Sequence, residues 1–164
     1  MRGFKEFIKC GPYDAYCKHL QEVCKSRKLI TEKIGSAGTH PLYCVRVNNN
    51  RKHTIAISAG MHGDETAGPW AVLNLIQYMD LKKRNHNYII FPVANPTGFD
   101  MCKRRNHQNR DLNRHFRGKE LTGENKSLYD AIKDEPLCLF YSLHEHPNAK
   151  GFYVYVSCDI DPEI

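Results

Sequence analysis

His62 and Glu65 stand three residues apart in Ser58-Ala59-Gly60-Met61-His62-Gly63-Asp64-Glu65-Thr66-Ala67-Gly68, and no other pair in the chain is so plainly suited to chemistry. An imidazole nitrogen and a carboxylate oxygen both bind zinc at about 2.0 to 2.2 Å, and this offset on a turn entering a helix aims both at one point. Gly60, Gly63 and Gly68 let such a turn fold tightly and let a substrate come close. A His-x-x-Glu pair is common on turns, so the reading depends on what other segments bring to the same place. A catalytic zinc site takes three protein donors and leaves a fourth position for water or a substrate oxygen. His144 is the candidate for the third donor, with His146 two residues on as its rival.

These residues need elements to hold them. Gly11-Pro12 opens a helix running to about Lys28, with Tyr13, Tyr16, Cys17, Leu20, Val23 and Cys24 as its apolar stripe. Leu29 to Ile34, Leu42 to Val47 and Thr54 to Ser58 read as strands, and Asn48-Asn49-Asn50 supplies turn chemistry for an antiparallel hairpin of the last two. Trp70 to Met79 has helical spacing on a nearly all-round apolar surface and should be largely buried. Tyr88 to Ala94 reads as a buried strand in which Pro92 must sit at a bulge or an unpaired position. The strand, helix, strand order implies a right-handed crossover and parallel pairing. A polar loop from Asn95, a helix from Glu124 to Lys133, a strand from Leu137 to Leu143 and another from Gly151 to Val156 follow. The fold class is therefore α/β, with helices around a mixed, mostly parallel sheet. In such a sheet ligands bind at the C-terminal ends of the strands. His62 and Glu65 follow one strand, Asn95 the next and His144 a third, so one rim receives all of them.

Composition narrows the alternatives. The chain of 164 residues is the size of one ordinary domain, and none of its stretches is apolar enough to cross a membrane. Its N-terminus lacks the apolar run of a secretory signal, which implies a cytoplasmic protein. Seven cysteines are scattered without a Cys-x-x-Cys, so neither a disulfide framework nor a thiolate zinc site is expected; the seven-residue repeat of Cys10, Cys17 and Cys24 reads as helix packing. The net charge is +6, and much of it gathers between Lys103 and Lys119, which suits an anionic partner. That loop lacks the interleaved aromatics of a stacking platform, which argues against nucleic acid.

The order of motifs is specific. His62-Gly63-Asp64-Glu65, Asn95-Pro96-Thr97-Gly98-Phe99, Asp111-Leu112-Asn113-Arg114 and Leu143-His144 together resemble the zinc metallocarboxypeptidase family, in the wider group that holds succinylglutamate desuccinylase and aspartoacylase-like amidohydrolases. The resemblance runs from about Thr54 to Val156. It implies a three-layer α/β/α fold, one zinc ion on His62, Glu65 and His144, recognition of a substrate carboxylate by Asn113 and Arg114, and carbonyl polarisation by Arg104, with Arg105 as the second candidate. The chemistry agrees: a guanidinium forks two hydrogen bonds onto a carboxylate, and an arginine beside zinc stabilises an oxyanion. Asp111 is expected to support its loop.

The family's mechanism also uses a glutamate general base on a late strand, and none of the residues here matches it. The expectation is accordingly a single catalytic domain over residues 1–164, truncated before the last strands. The reaction implied is hydrolysis of an amide bond beside a free carboxylate in a peptide. The alternatives are an N-acyl amino acid amidohydrolase, which uses the same metal and clamp, and a non-catalytic metal- or ligand-binding relative.

Overall fold

The computed structural model describes residues 10–116, 121–146, 148 and 150. The strand expected from Gly151 to Val156 lies outside them. Helix α1 is Tyr13–Ser26; strands β1, Ile30–Ala37, and β2, His40–Val47, follow, then β3, Thr54–Ala59. Next come helix α2, Ala67–Tyr78, strand β4, Asn87–Phe91, and the short helix α3, Pro96–Met101. Helix α4, Gly123–Asp130, and strand β5, Leu137–Leu143, complete the described elements.

The five strands form one mixed sheet in the order β1-β2-β4-β3-β5. β1 to β2 and β2 to β4 are antiparallel; β4 to β3 and β3 to β5 are parallel. Alternation along the strands sends side chains to two faces. On one face Val45, Val47, Ile57 and Ile90 pack with Tyr16, Leu20 and Val23 of α1 and Val72, Leu73 and Ile76 of α2. On the other, Cys44, Ile89 and Phe91 pack with Leu128 of α4. Helices thus cover both faces, which is the three-layer α/β/α arrangement expected. The α2 crossover between β3 and β4 is parallel, also as expected.

The expected hairpin of β2 with β3 is corrected, because β4 lies between them. The asparagine segment does not turn back on itself: Asn48 donates its amide to the Leu81 and His86 carbonyls, and Asn87 accepts from Arg51 N–H at 2.9 Å, so the connection is fastened across the start of β4. The tight hairpin is β1 to β2, turning at Gly38 with a φ of +57° that glycine adopts without a Cβ penalty. β4 ends at Phe91, so Pro92 follows the strand and needs no bulge. Helix α2 is buried on one side only, with Ala71, Asn74 and Tyr78 exposed.

The cysteine reading also needs correction. Cys17 and Cys24 are buried in the core as expected, but Cys10 is joined to Cys102 by a disulfide. Their sequence separation of 92 conceals the pairing, which follows from the packing of the start of α1 against the end of α3. Asp100 of α3 accepts the first N–H of α1, from Tyr13, at 2.8 Å and brings those two ends together. No described helix is long and apolar enough to cross a membrane.

Candidate metal centre

β3, β4 and β5 run parallel, so their C-terminal ends open on the same side of the sheet. Immediately after β3 the chain reverses at Gly60, whose φ of +62° strains any residue with a Cβ, and a Cβ there would lie 3.0 Å from Pro69 Cγ. Two backbone hydrogen bonds, Ala94 N–H to the Ala59 carbonyl and Asn95 N–H to the Gly60 carbonyl, clamp this turn to the end of β4. Asn95, fully buried, continues the tie: its amide donates to the Met61 and Arg104 carbonyls, and its side-chain oxygen accepts the Gly98 N–H at the start of α3. The loop carrying His62 and the loop carrying Arg104 are therefore set against one another by one buried side chain.

Within that frame the three expected donors converge. Glu65 Oε1 lies 2.7 Å from His62 Nδ1, and Glu65 Oε2 lies 2.7 Å from His144 Nδ1. One nitrogen or oxygen of each residue falls within 4.8 Å of the others, a grouping able to hold a metal ion. His144, and not His146, supplies the third member. The far nitrogens are also engaged: His62 Nε2 faces Asp111 Oδ1 at 3.2 Å, and His144 Nε2 faces Ser142 Oγ at 3.1 Å. Metal-bound histidines are held in this way, one nitrogen to the ion and the other to a supporting acceptor. Two imidazoles and a carboxylate also suit zinc by donor type and leave a fourth position open.

Charge is balanced tightly here. Burial pushes the Glu65 carboxyl up, but hydrogen bonds from His144, His62 and the Glu145 N–H outweigh it and hold Glu65 down at about 2. For His62 burial acts against the imidazolium, yet the hydrogen bond and charge of Glu65 prevail and the value is raised. Asp111 is likewise lowered against its burial, by the hydrogen bond and charge of His62 and by Arg104.

Arg104 reaches the same cluster, with Nη1 3.5 Å from Glu65 Oε1 and Nε donating to Asp111 Oδ2 at 3.1 Å. Arg105 instead donates to the Asn109 carbonyl. Asn113 and Arg114 sit on a 3-10 turn, Leu112–Arg114, with exposed side chains, and Asp111 caps that turn by accepting the Asn113 N–H at 3.1 Å. Sequence reasoning gave Asp111 a loop role; its contact with His62 was not foreseen, and the only signal was its place at the head of Asp-Leu-Asn-Arg. Ser142 was missed, and its signal was its place near the end of β5, two residues before His144. Glu145 donates its N–H to Glu65 Oε2 at 3.1 Å, while its carboxylate accepts the N–H of Ala67 at the start of α2.

Residues 51–153, well over half of the chain, match the succinylglutamate desuccinylase/aspartoacylase catalytic domain. A metallopeptidase candidate from Shewanella denitrificans OS217 superposes with a TM-score of 0.68 and 26% identity, over 81% of this chain and 52% of its own. A second, from Shewanella amazonensis SB2B, gives 0.62 and 28%, over 73% and 49%. Bovine thrombin-activatable fibrinolysis inhibitor, solved with tick carboxypeptidase inhibitor, has the same fold, with a TM-score of 0.72 at 19% identity over 87% and 62%. The chain spans about half the length of the two bacterial proteins. No curated protein matches it in sequence. The match over residues 51–153 means that the chain belongs to the succinylglutamate desuccinylase/aspartoacylase catalytic domain family, on a fold it shares with these solved structures.

Proposed function

We propose that this chain binds one Zn2+ through His62, Glu65 and His144 and serves a metallocarboxypeptidase-type hydrolysis, cleaving an amide bond beside a free carboxylate. The observation that carries the reading is the convergence of His62 Nδ1 and His144 Nδ1 on the two oxygens of Glu65, each at 2.7 Å. A zinc ion in that position supplies an activated water and a Lewis acid for the scissile carbonyl.

The chain's own residues do the rest. Arg104 is anchored at Nε by Asp111 and keeps its terminal nitrogens at the edge of the donor cluster, close enough to donate to a carbonyl oxygen as negative charge develops there. Asn113 and Arg114, exposed on the neighbouring turn, offer an amide and a forked guanidinium to the substrate carboxylate. Of the acidic residues beside the donors, Asp111 is engaged by His62 and Arg104 and the Glu145 carboxylate is committed to the Ala67 N–H, and among the described residues we assign no general base.

The family match favours a second reading, in which the substrate is an N-acyl amino acid rather than a peptide. Both use the same donors and the same clamp. Purified protein should hold zinc in stoichiometric amount and lose it in His62→Ala and His144→Ala; retention of metal by both variants would refute the site. Assays on peptides with free and amidated C-termini and on N-acyl amino acids then separate the two substrates. Arg114→Ala should weaken only substrates with a free carboxylate, by roughly 10- to 100-fold in kcat/KM, the worth of a hydrogen bond to a charged group. An equal loss on amidated analogues would remove the clamp.

A further inference from the structure

The two histidine donors are supported by different chemistry. His62 Nε2 faces a carboxylate, Asp111, whereas His144 Nε2 faces a hydroxyl, Ser142 Oγ, at 3.1 Å. That hydroxyl has a support of its own. Ser142 is the register partner of Ser58 across the parallel β3 to β5 pair, and the fully buried Ser58 Oγ donates to Ser142 Oγ at 3.2 Å. The Ser58 to Ser142 contact is therefore fixed by sheet register, and His144 follows directly after the end of β5.

We propose that Ser142, held by Ser58, is a positioning residue that orients His144 as a metal donor. The inference rests on His144 being a ligand, as read above. A hydroxyl can donate or accept, and the position needs both. In the tautomer that carries its proton on Nδ1, His144 donates to Glu65 Oε2 at 2.7 Å and the Ser142 hydroxyl can donate to Nε2. When Nδ1 is turned over to a metal ion, the imidazole proton resides on Nε2 and is donated to Ser142 Oγ, whose other lone pair still accepts from Ser58. Asp111, an acceptor only when ionised, can serve just the second arrangement at His62. Ser142 thus keeps the ring aligned through the change of proton position that metal binding requires.

The test compares Ser142→Thr with Ser142→Val, two β-branched residues of nearly equal shape that suit a strand and differ in the hydroxyl. Each is titrated with Co2+ against a chelating indicator, and in the Co2+-loaded protein the solvent exchange of the His144 Nε2–H is followed by its paramagnetically shifted proton resonance. Thr should bind Co2+ like the parent and keep slow exchange. Val should bind roughly 10-fold more weakly, the usual effect of removing a group that supports a metal-bound histidine, with faster exchange. If the parent binds Co2+ and the Thr and Val variants agree in both affinity and exchange, the role of Ser142 is refuted while the metal site stands. If the parent binds no Co2+, the metal reading itself fails and this inference falls with it.

Discussion

Asp111 Oδ1 lies 3.2 Å from His62 Nε2 across 49 positions of sequence, and the same carboxylate accepts from Arg104 Nε and from the Asn113 N–H. One side chain therefore touches a candidate metal donor, the candidate carbonyl-polarising arginine and the turn that presents the candidate carboxylate clamp. A displacement of Asp111 moves all three together, so its removal should read out in metal affinity as well as in substrate recognition.

Asp111→Asn keeps the shape and the ability to accept from the Asn113 N–H but removes the charge facing His62. The expected result is roughly a 10- to 100-fold loss of Zn2+ or Co2+ affinity, measured by competition with a chelator. Unchanged affinity would mean that the aspartate only organises its loop.

Much of this was legible because strand ends can be read from apolar runs. Thr54 to Ser58 and Leu137 to Leu143 are short and apolar, and once they are parallel strands His62, Glu65 and His144 must share a rim. The fold class followed from the same runs. The pairing of β2 could not be read in that way, since asparagines favour turns without specifying which strand a turn leads to. The Cys10 to Cys102 bond and the contact of Asp111 with His62 were hidden for a common reason: each joins residues far apart in sequence through the packing of loops and short helices, which have no periodicity to betray them. Arg104 and Arg114 are singled out only by the family pattern, as nothing in their spacing separates them from Arg105 and Arg110.

The metal-free protein should have a stability maximum in mildly acid solution. Glu65 is depressed to about 2, so its contribution is complete above the ordinary glutamate value of about 4.3 and is lost as pH falls through the folded value. His62 is raised, so its contribution is complete below the ordinary histidine value of about 6.5 and is lost as pH rises through the folded value. Both are present between about pH 4.3 and 6.5. The Tm of metal-free protein should therefore fall on going from pH 6 towards 8, and His62→Gln should flatten that fall. A parallel decline in the variant would assign the effect to other groups. Added metal opposes the trend, because binding requires His62 to give up its proton and so strengthens as pH rises.

Cysteine reactivity should sort by burial. Burial, helped by the Glu32 carboxylate, pushes the Cys44 thiol up to about 12, and burial leads in raising Cys17 and Cys24 to about 11. Cys138 is exposed. Alkylation of native protein at pH 8, followed by peptide mapping without reductant, should modify Cys138 early, leave Cys17, Cys24 and Cys44 free of label until the chain unfolds, and recover Cys10 and Cys102 as one linked peptide. Rapid labelling of Cys44 would contradict its burial between the sheet and α4.

Gly63 tests how closely the donor loop must sit against its neighbour. A Cβ there would lie 1.9 Å from the Gly98 carbonyl carbon and 2.3 Å from the Phe99 nitrogen, both backbone atoms within α3. Backbone cannot rotate aside as a side chain can, so the His62 turn and α3 would have to separate. Separation also stretches the Gly63 N–H contact with the Arg104 carbonyl, 3.4 Å long, and draws Asn95 off the carbonyls it bridges. Gly63→Ala should therefore cost about 1 to 3 kcal/mol, the usual range for overpacking, and should weaken metal binding because His62 is the adjacent residue. Gly11→Ala is the control: a Cβ at Gly11 meets nothing within 4 Å, and the change should stay within about 0.5 kcal/mol. Equal stability of the two variants in urea titrations would mean that the loops are held apart in solution and that the convergence of His62, Glu65 and Arg104 needs a different support.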